Sequence, residues 1–260
     1  MGARTIAGVM GAVGTHHDGD SGASLVRVQN LGRISYSAAY ELQRAEHARL
    51  LAQRDLAQRD ARAVEAPFPL GTIFLVEHVP PVITVTRRPD APSHVLVSDE
   101  RLASLGVQRI ETDRGGDVTW HGPGQIVAYL VLDLNLVGLR VNGYLRLLEG
   151  AVIDTLASFG LSGAREPGAT GVWIGGAKVC AFGVRLSRWI SMHGLALNVC
   201  PDLRQFELIV PCGLHGRAVT SMQRELATAE PTMDRARAVL VRHLVRAIEA
   251  AASAKSESAR

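Results

Sequence analysis

The chain has 260 residues, enough for one large domain or two small ones, and 47% of them are hydrophobic, so a sizeable core can be buried. A net charge of +3 is too mild to argue for nucleic acid, and three cysteines fit reduced thiols in a cytoplasmic protein better than a disulfide framework. No stretch is long and apolar enough to span a membrane.

Residues 1–23 are rich in Gly and Ala, and their short apolar run is broken by glycines without a cleavage site. We expect a flexible extension there, with His16 and His17 solvated, before a catalytic domain over residues 24–252. Residues 25–28 read as a strand, and Ser35 or Ser37 can cap a helix to about residue 63. The β-branched runs 72–77 and 82–86 read as two strands around a turn at Pro80 and Pro81. Arg87 and Arg88 stand in a loop, as a solvated rim or as a contact for phosphate or an acidic partner. A short helix over 98–105 and a strand over 107–111 follow, then a fully apolar strand over 126–134. An Asn142 cap predicts a helix to residue 159. Strands are expected over 171–174, 179–186, 189–199 and 208–210, a last helix opens at Pro231 and Thr232, and residues 253–260 read as a disordered tail.

Residues 114–125 read R-G-G-D-V-T-W-H-G-P-G-Q, with four glycines among Arg114, Asp117, Thr119, His121 and Gln125. Glycine in such density serves tight turns or leaves a bare backbone wall for a ligand. Of the 28 basic residues only two are lysines, Lys178 and Lys255, and Lys255 is in the tail. Arginine cannot give up its proton in proteins, whereas a buried lysine can, so Lys178 stands out. Among the cysteines, Cys180 sits in an apolar strand and Cys200 precedes Pro201, while Cys212 follows an apolar run between Pro211 and Gly213. That setting favours Cys212 as a nucleophile. A zinc site from Cys212 and His215 with Cys200, His121 or His193 is a weaker rival, since no second ligand pair accompanies them. His121 and His193 read equally as structural hydrogen-bonders or as bases. Gly171 and Gly176 have the spacing of a phosphate loop, but Ala177 stands where lysine is needed.

These blocks, in this order, resemble the lipoyl(octanoyl) transferase family over roughly residues 25–226. The likeness runs from Val76-Glu77-His78-Val79-Pro80-Pro81-Val82 through the 114–125 stretch, Tyr129 and Leu132-Asp133-Leu134 to Gly171-Val172-Trp173. It continues in Lys178-Val179, Gly183-Val184, His193-Gly194, Ala196-Leu197-Asn198, Val210-Pro211-Cys212-Gly213 and Val219-Thr220-Ser221. It implies a single α/β (α+β) domain of the lipoate and biotin protein ligase type, a mostly antiparallel sheet with packing helices. It implies octanoyl transfer from acyl carrier protein to the target lysine of lipoyl domains by way of a thioester on Cys212, with Lys178 acting beside it.

By the same analogy Arg114, Gly115, Gly116, Asp117, Val118, Thr119, Trp120 and His121 line an acyl slot. Ala181, Phe182 and Gly183, with Gly194, Leu195 and Ala196, would stand opposite. No metal and no cofactor are expected, the donor being carried on the phosphopantetheine arm of the acyl carrier protein. The expected acceptors are the lipoyl domains of 2-oxoacid dehydrogenases and the glycine cleavage H protein, served by a monomer. Departures from the family pattern are Trp120 where many members have Tyr, no glycine after Val85-Thr86, and Cys180 at a usually smaller position; they bear on acyl length more than on activity. Two other classes stay open: an ATP-dependent lipoate-protein ligase, which needs no nucleophilic cysteine, and a non-catalytic protein that binds acyl groups or lipoyl domains.

Overall fold

The computed structural model describes residues 24–59, 69–210, 217–228 and 230–258. Its frame is a seven-stranded sheet in the order β1 (Val26–Ile34), β2 (Gly71–His78), β6 (Gln125–Leu132), β10 (Ile190–Asn198), β9 (Ala177–Ser187), β8 (Ala169–Ile174) and β7 (Ala164–Glu166). Only the β1–β2 pair is parallel. Every residue of β2, β6 and β10 is buried, which is why β6 reads as a nearly continuous apolar run rather than as an alternating one, while β2 and β10 also bury Glu77, His78, Ser191, His193 and Asn198. A second sheet of three strands, ordered β4 (Gln108–Thr112), β3 (Val82–Thr86) and β5 (Thr119–His121), stands apart. The fold is the mixed, mostly antiparallel one that the sequence implies.

The seven-stranded sheet is covered on one face by α4 (Val141–Ala157) and α6 (Met233–Ser258), with Leu148, Val152, Leu240 and Leu244 among fully buried aliphatic neighbours. Its other face meets α1 (Tyr36–Arg59), which places Tyr36, Ala39 and Leu50 on it. Ser35 caps α1, its hydroxyl accepting the Ala38 N–H at 3.3 Å. The small sheet has its own core with α2 (Asp99–Ser104), the short helix expected there, which Ser98 caps.

Several expectations are corrected. The strands on either side of Pro80 do not pair with each other: β2 joins the large sheet and β3 the small one. Residue 134 begins a short helix, α3 (Leu134–Val137), because the Asp133 side chain accepts the Asn135 N–H and ends the strand. The cap of α4 is Arg140, and Asn142 lies inside its first turn. Residues 203–208 form a 3-10 helix and Ile209 makes a single bridge to Val95, so no strand forms over 208–210. A further short helix, α5 (Met222–Leu226), precedes α6. The last helix runs on to Ser258 rather than fraying at residue 253, since Ala252 is buried and the Lys255 ammonium donates to the Asn135 carbonyl, tying the end to α3. The phosphate-loop spacing resolves into a hairpin: Gly175 and Gly176, at φ 55° and 81°, form the tight turn between β8 and β9. The 1–23 extension lies outside the described residues.

Candidate active site

The glycine-rich stretch lies on β9. The Gly115 N–H donates to the Val184 carbonyl at 3.0 Å. A Cβ on Gly183 would stand 2.9 Å from the Gly115 carbonyl oxygen, so glycine is required where the stretch and the strand touch. The glycines thus serve chain-on-chain packing first, and the open wall is a consequence.

Beyond this contact the stretch becomes β5, and a strand's period of two divides its side chains. Val118 and Trp120 turn into the core of the small sheet, where Trp120 packs edge-on against Phe206 at 5.3 Å. Thr119 and His121 turn the other way, into a cavity of about 450 Å³ including its open mouth. Arg114, Gly116 and Asp117 also line it. Opposite them stand Ala181, Phe182 and Gly183 from β9, and Gly194, Leu195 and Ala196 from β10. Eleven of the fourteen expected binding residues therefore meet at one cavity. Gly115, Val118 and Trp120 do not line it, so the larger Trp120 ring enlarges a core rather than narrowing a slot. Tyr36, Val127, Tyr129 and His193 complete the described wall. No sequence motif marked the first two, because they arrive from α1 and from the opposite face of β6.

The polar groups around the cavity are held in defined protonation states. The His78 Nδ1–H donates to the Ile34 carbonyl at 3.1 Å, so its Nε2 accepts the Tyr129 hydroxyl at 2.7 Å. Burial lowers this imidazole to about 4 and pushes the Tyr129 phenol well up. The His193 Nε2–H donates to Asp113 at 2.8 Å. Burial lowers His193 against the pull of that carboxylate. Burial alone would raise Asp113, but hydrogen bonds from His193 and Tyr40 and the nearby Arg185 charge outweigh it and hold the carboxyl low. His193 has φ 59° inside β10, where the strand parts from β6 and the Ser191 hydroxyl bridges the gap by donating to the Leu130 carbonyl at 2.7 Å and accepting the Leu132 N–H. That irregularity aims the imidazole at the cavity. Arg114 is fixed by three hydrogen bonds to Thr84 and one to the Gly115 carbonyl.

Lys178 is 6% exposed at the start of β9, three residues before Ala181, with its ammonium 4.7 Å from the centre of the Trp173 ring. Its backbone donates to the Ala218 carbonyl and accepts the Thr220 N–H, both at 2.9 Å. On the other side of residues 211–216, the Val210 N–H donates to the His94 carbonyl at 2.8 Å. Cys212 and His215 lie outside the described residues. Cys180 is fully buried and Cys200 half-buried, and burial pushes both thiols up, so neither holds a thiolate at neutral pH. Cys200, His121 and His193 do not converge. Among the described residues, ligating atoms come together at Asp90, His94 and Asp117, where His94 Nδ1 and Asp117 already pair at 2.8 Å.

A family model described as the lipoyl protein ligase A/B catalytic domain matches residues 51–245. The chain belongs to that family. It is 47% identical over 208 residues to an octanoyltransferase of Chloroflexus aggregans, covering 78% of this chain and 86% of the relative. To an octanoyltransferase of Flavobacterium johnsoniae it is 38% identical, covering 86% of this chain and 97% of that one. Among solved structures, a lipoate-protein ligase A bound with ATP aligns with a TM-score of 0.60 at 13% identity, covering 86% of this chain and 85% of the other. A bipartite lipoate protein ligase from Thermoplasma acidophilum aligns with a TM-score of 0.60 at 14% identity, covering 86% and 83%. At these identities the structural likeness speaks for the fold. No described helix is long and apolar enough to cross a membrane.

Proposed function

We propose that this acyltransferase moves an octanoyl group from octanoyl-acyl carrier protein to the target lysine of a lipoyl domain through a thioester on Cys212. Octanoyl transfer rests on the family and its curated relatives. The donor, the acceptor and the thioester are our reading. The observation that carries it is the anchoring of the chain on both sides of Cys212. Two residues before it, Val210 is bonded to His94, whose side chain pairs with the cavity residue Asp117. Six residues after it, Ala218 is bonded to Lys178, the only lysine in the body of the chain. The unsuitability of Cys180 and Cys200 supports the same nucleophile.

In the first step the Cys212 thiolate attacks the octanoyl carbonyl carbon of the phosphopantetheine thioester. A new C–S bond forms, the old one breaks, and the pantetheine thiolate leaves and takes a proton. Exchange of one thioester for another is nearly isoenergetic, so the acyl group stays reactive. In the second step the lysine amine attacks the same carbon, the C–N bond forms, Cys212 leaves as a thiolate, and the proton shed by the nitrogen passes to Lys178. As a cation Lys178 favours the Cys212 thiolate, and as a neutral amine it accepts that proton. The apolar part of the wall, Val127, Phe182, Leu195 and Ala196, suits the alkyl chain. Neither step calls for a metal or a cofactor, and both belong in the cytoplasm, where the thiol stays reduced. Acceptors of this chemistry include the lipoyl domains of 2-oxoacid dehydrogenases and the glycine cleavage H protein.

Intact mass after mixing with octanoyl-loaded acyl carrier protein tests this. We expect a hydroxylamine-labile octanoyl adduct on the wild type, discharged by an apo lipoyl domain and missing from Cys212→Ser. Transfer without an adduct and only with ATP would replace this reading with the ligase one. Lys178→Arg is expected to keep the fold and some acylation and to lose transfer; wild-type transfer in that variant would remove its role as a base.

A further inference from the structure

His121 is at the end of a buried chain of amides whose direction can be derived. The Asn198 side chain reaches the Thr220 backbone carbonyl at 3.0 Å, and a carbonyl only accepts, so the nitrogen Nδ2 must face it. Asn198 then presents its oxygen to Gln125, whose Nε2 donates to it at 2.9 Å and to the Trp120 carbonyl at 3.3 Å. Gln125 in turn presents its oxygen to His121, 2.7 Å from Nδ1, which must carry the proton. The last residue of the chain, Thr220, donates its own N–H to the Lys178 carbonyl. All five residues are at most 6% exposed.

We propose that Gln125 and Asn198 are positioning residues that hold His121 as the neutral Nδ1–H tautomer, so that its Nε2 lone pair receives an N–H of the attacking lysine amine in the cavity. A histidine whose partner could flip would serve as donor or acceptor by turns; here two backbone carbonyls, that of Trp120 on Gln125 and that of Thr220 on Asn198, fix the choice. The attacking amine brings N–H donors, so an acceptor on the wall aims its lone pair at the acyl carbon, while the proton it loses goes to Lys178. The charged and titratable groups facing His121 are His78, Arg114 and His193; burial and these neighbours keep the imidazole neutral. The proposal rests on the acyl-enzyme route above and assigns the amine's place in its second step.

Long-range proton–nitrogen correlation on the full-length protein near neutral pH reads the tautomer directly. We expect protonated Nδ1 and bare Nε2 for His121, and an Nε2–H tautomer would overturn the proposal. Gln125→Glu puts a carboxylate on Nδ1, favours the imidazolium and turns the Nε2 acceptor into a donor. Attack of the lipoyl-domain lysine on preformed acyl-enzyme should then slow by roughly tenfold more than acylation does, with the pH profile of that step moved upward. Equal slowing of both steps, or of neither, would overturn it. Should Gln125→Glu not fold, Asn198→Leu removes the nearer acceptor and leaves the Gln125 amide held by the longer Trp120 contact alone. It is expected to admit the second tautomer of His121 and to slow aminolysis selectively, and an unmixed tautomer there would overturn the role of Asn198. Absence of any acyl adduct on the wild type would refute the transfer route instead, and leave the tautomer measurement standing.

Discussion

The two faces of the seven-stranded sheet are made from the same strands and differ in kind. Along β6, Ile126, Ala128, Leu130 and Leu132 enter an aliphatic cluster beneath α4 and α6, whereas Val127, Tyr129 and Val131 turn toward α1 and the small sheet. The first face is filled mainly with aliphatic groups that ask only for close packing. The second carries the cavity, and there the polar groups of His78, His121 and Tyr129 are matched to named partners. A packing face tolerates substitution in proportion to lost volume, while a site face is sensitive to single atoms.

The largest effect should come from the packing face. Leu132→Ala, at a fully buried position, is expected to cost about 2–5 kcal/mol in urea unfolding while leaving turnover per folded molecule unchanged. A comparable loss of turnover would break the division between the faces. Next in size is the response to acid. The His78 imidazole is lowered from 6.5 to about 4 in the folded protein, so between those values the unfolded chain binds the proton more readily. Stability is thus complete above about pH 6.5 and falls as pH drops toward 4, by up to about 3 kcal/mol for this one group. His121 and His193 are shifted in the same direction. A flat unfolding profile from pH 7 to pH 5 would mean that these rings are not buried neutral.

Smaller still, Tyr129→Phe removes one hydroxyl and leaves the His78 Nε2 lone pair without its donor, at about 1–3 kcal/mol. An unchanged midpoint would show that the site face is no more exacting than the packing face. The smallest effect belongs to the rim. Arg87 pairs with Glu111 and Arg88 with Asp90 in solvent, which favours the solvated reading of that pair over a binding one. Arg87→Ala should move stability by less than about 0.5 kcal/mol and leave transfer intact; lost transfer at unchanged stability would make the rim part of a docking surface.

Much of this was legible in the chain itself. The apolar run over residues 126–132 announced the central strand β6, because a strand buried on both faces needs no solvent-facing polar positions. The isolated lysine, the glycine-rich stretch and the Pro-Cys-Gly block stood out through residue type and order, and of these the glycine-rich stretch lies at the cavity. Other features were hidden. Asp133 and Asn142 are both plausible caps, and the backbone at each end of the short helix chose between uses that local propensity leaves equal.

What residue order could settle is the inventory: which side chains can ionise, attack, turn or pack, and with what period. Which of them meet was settled in space. β5 is three residues long, and whether Trp120 or His121 faces the cavity depends on its pairing with β3, where Trp120 stands opposite Ile83 and His121 opposite Val82. A shift of one residue would exchange them. Tyr36, more than eighty residues before His121, reaches the same wall because α1 packs across β6 and β10. The proton on His121 is placed by Gln125, whose amide is oriented by carbonyls at residues 120 and, through Asn198, 220. Pairing register and long-range hydrogen bonds are relations between distant segments, and no local stretch of sequence contains them.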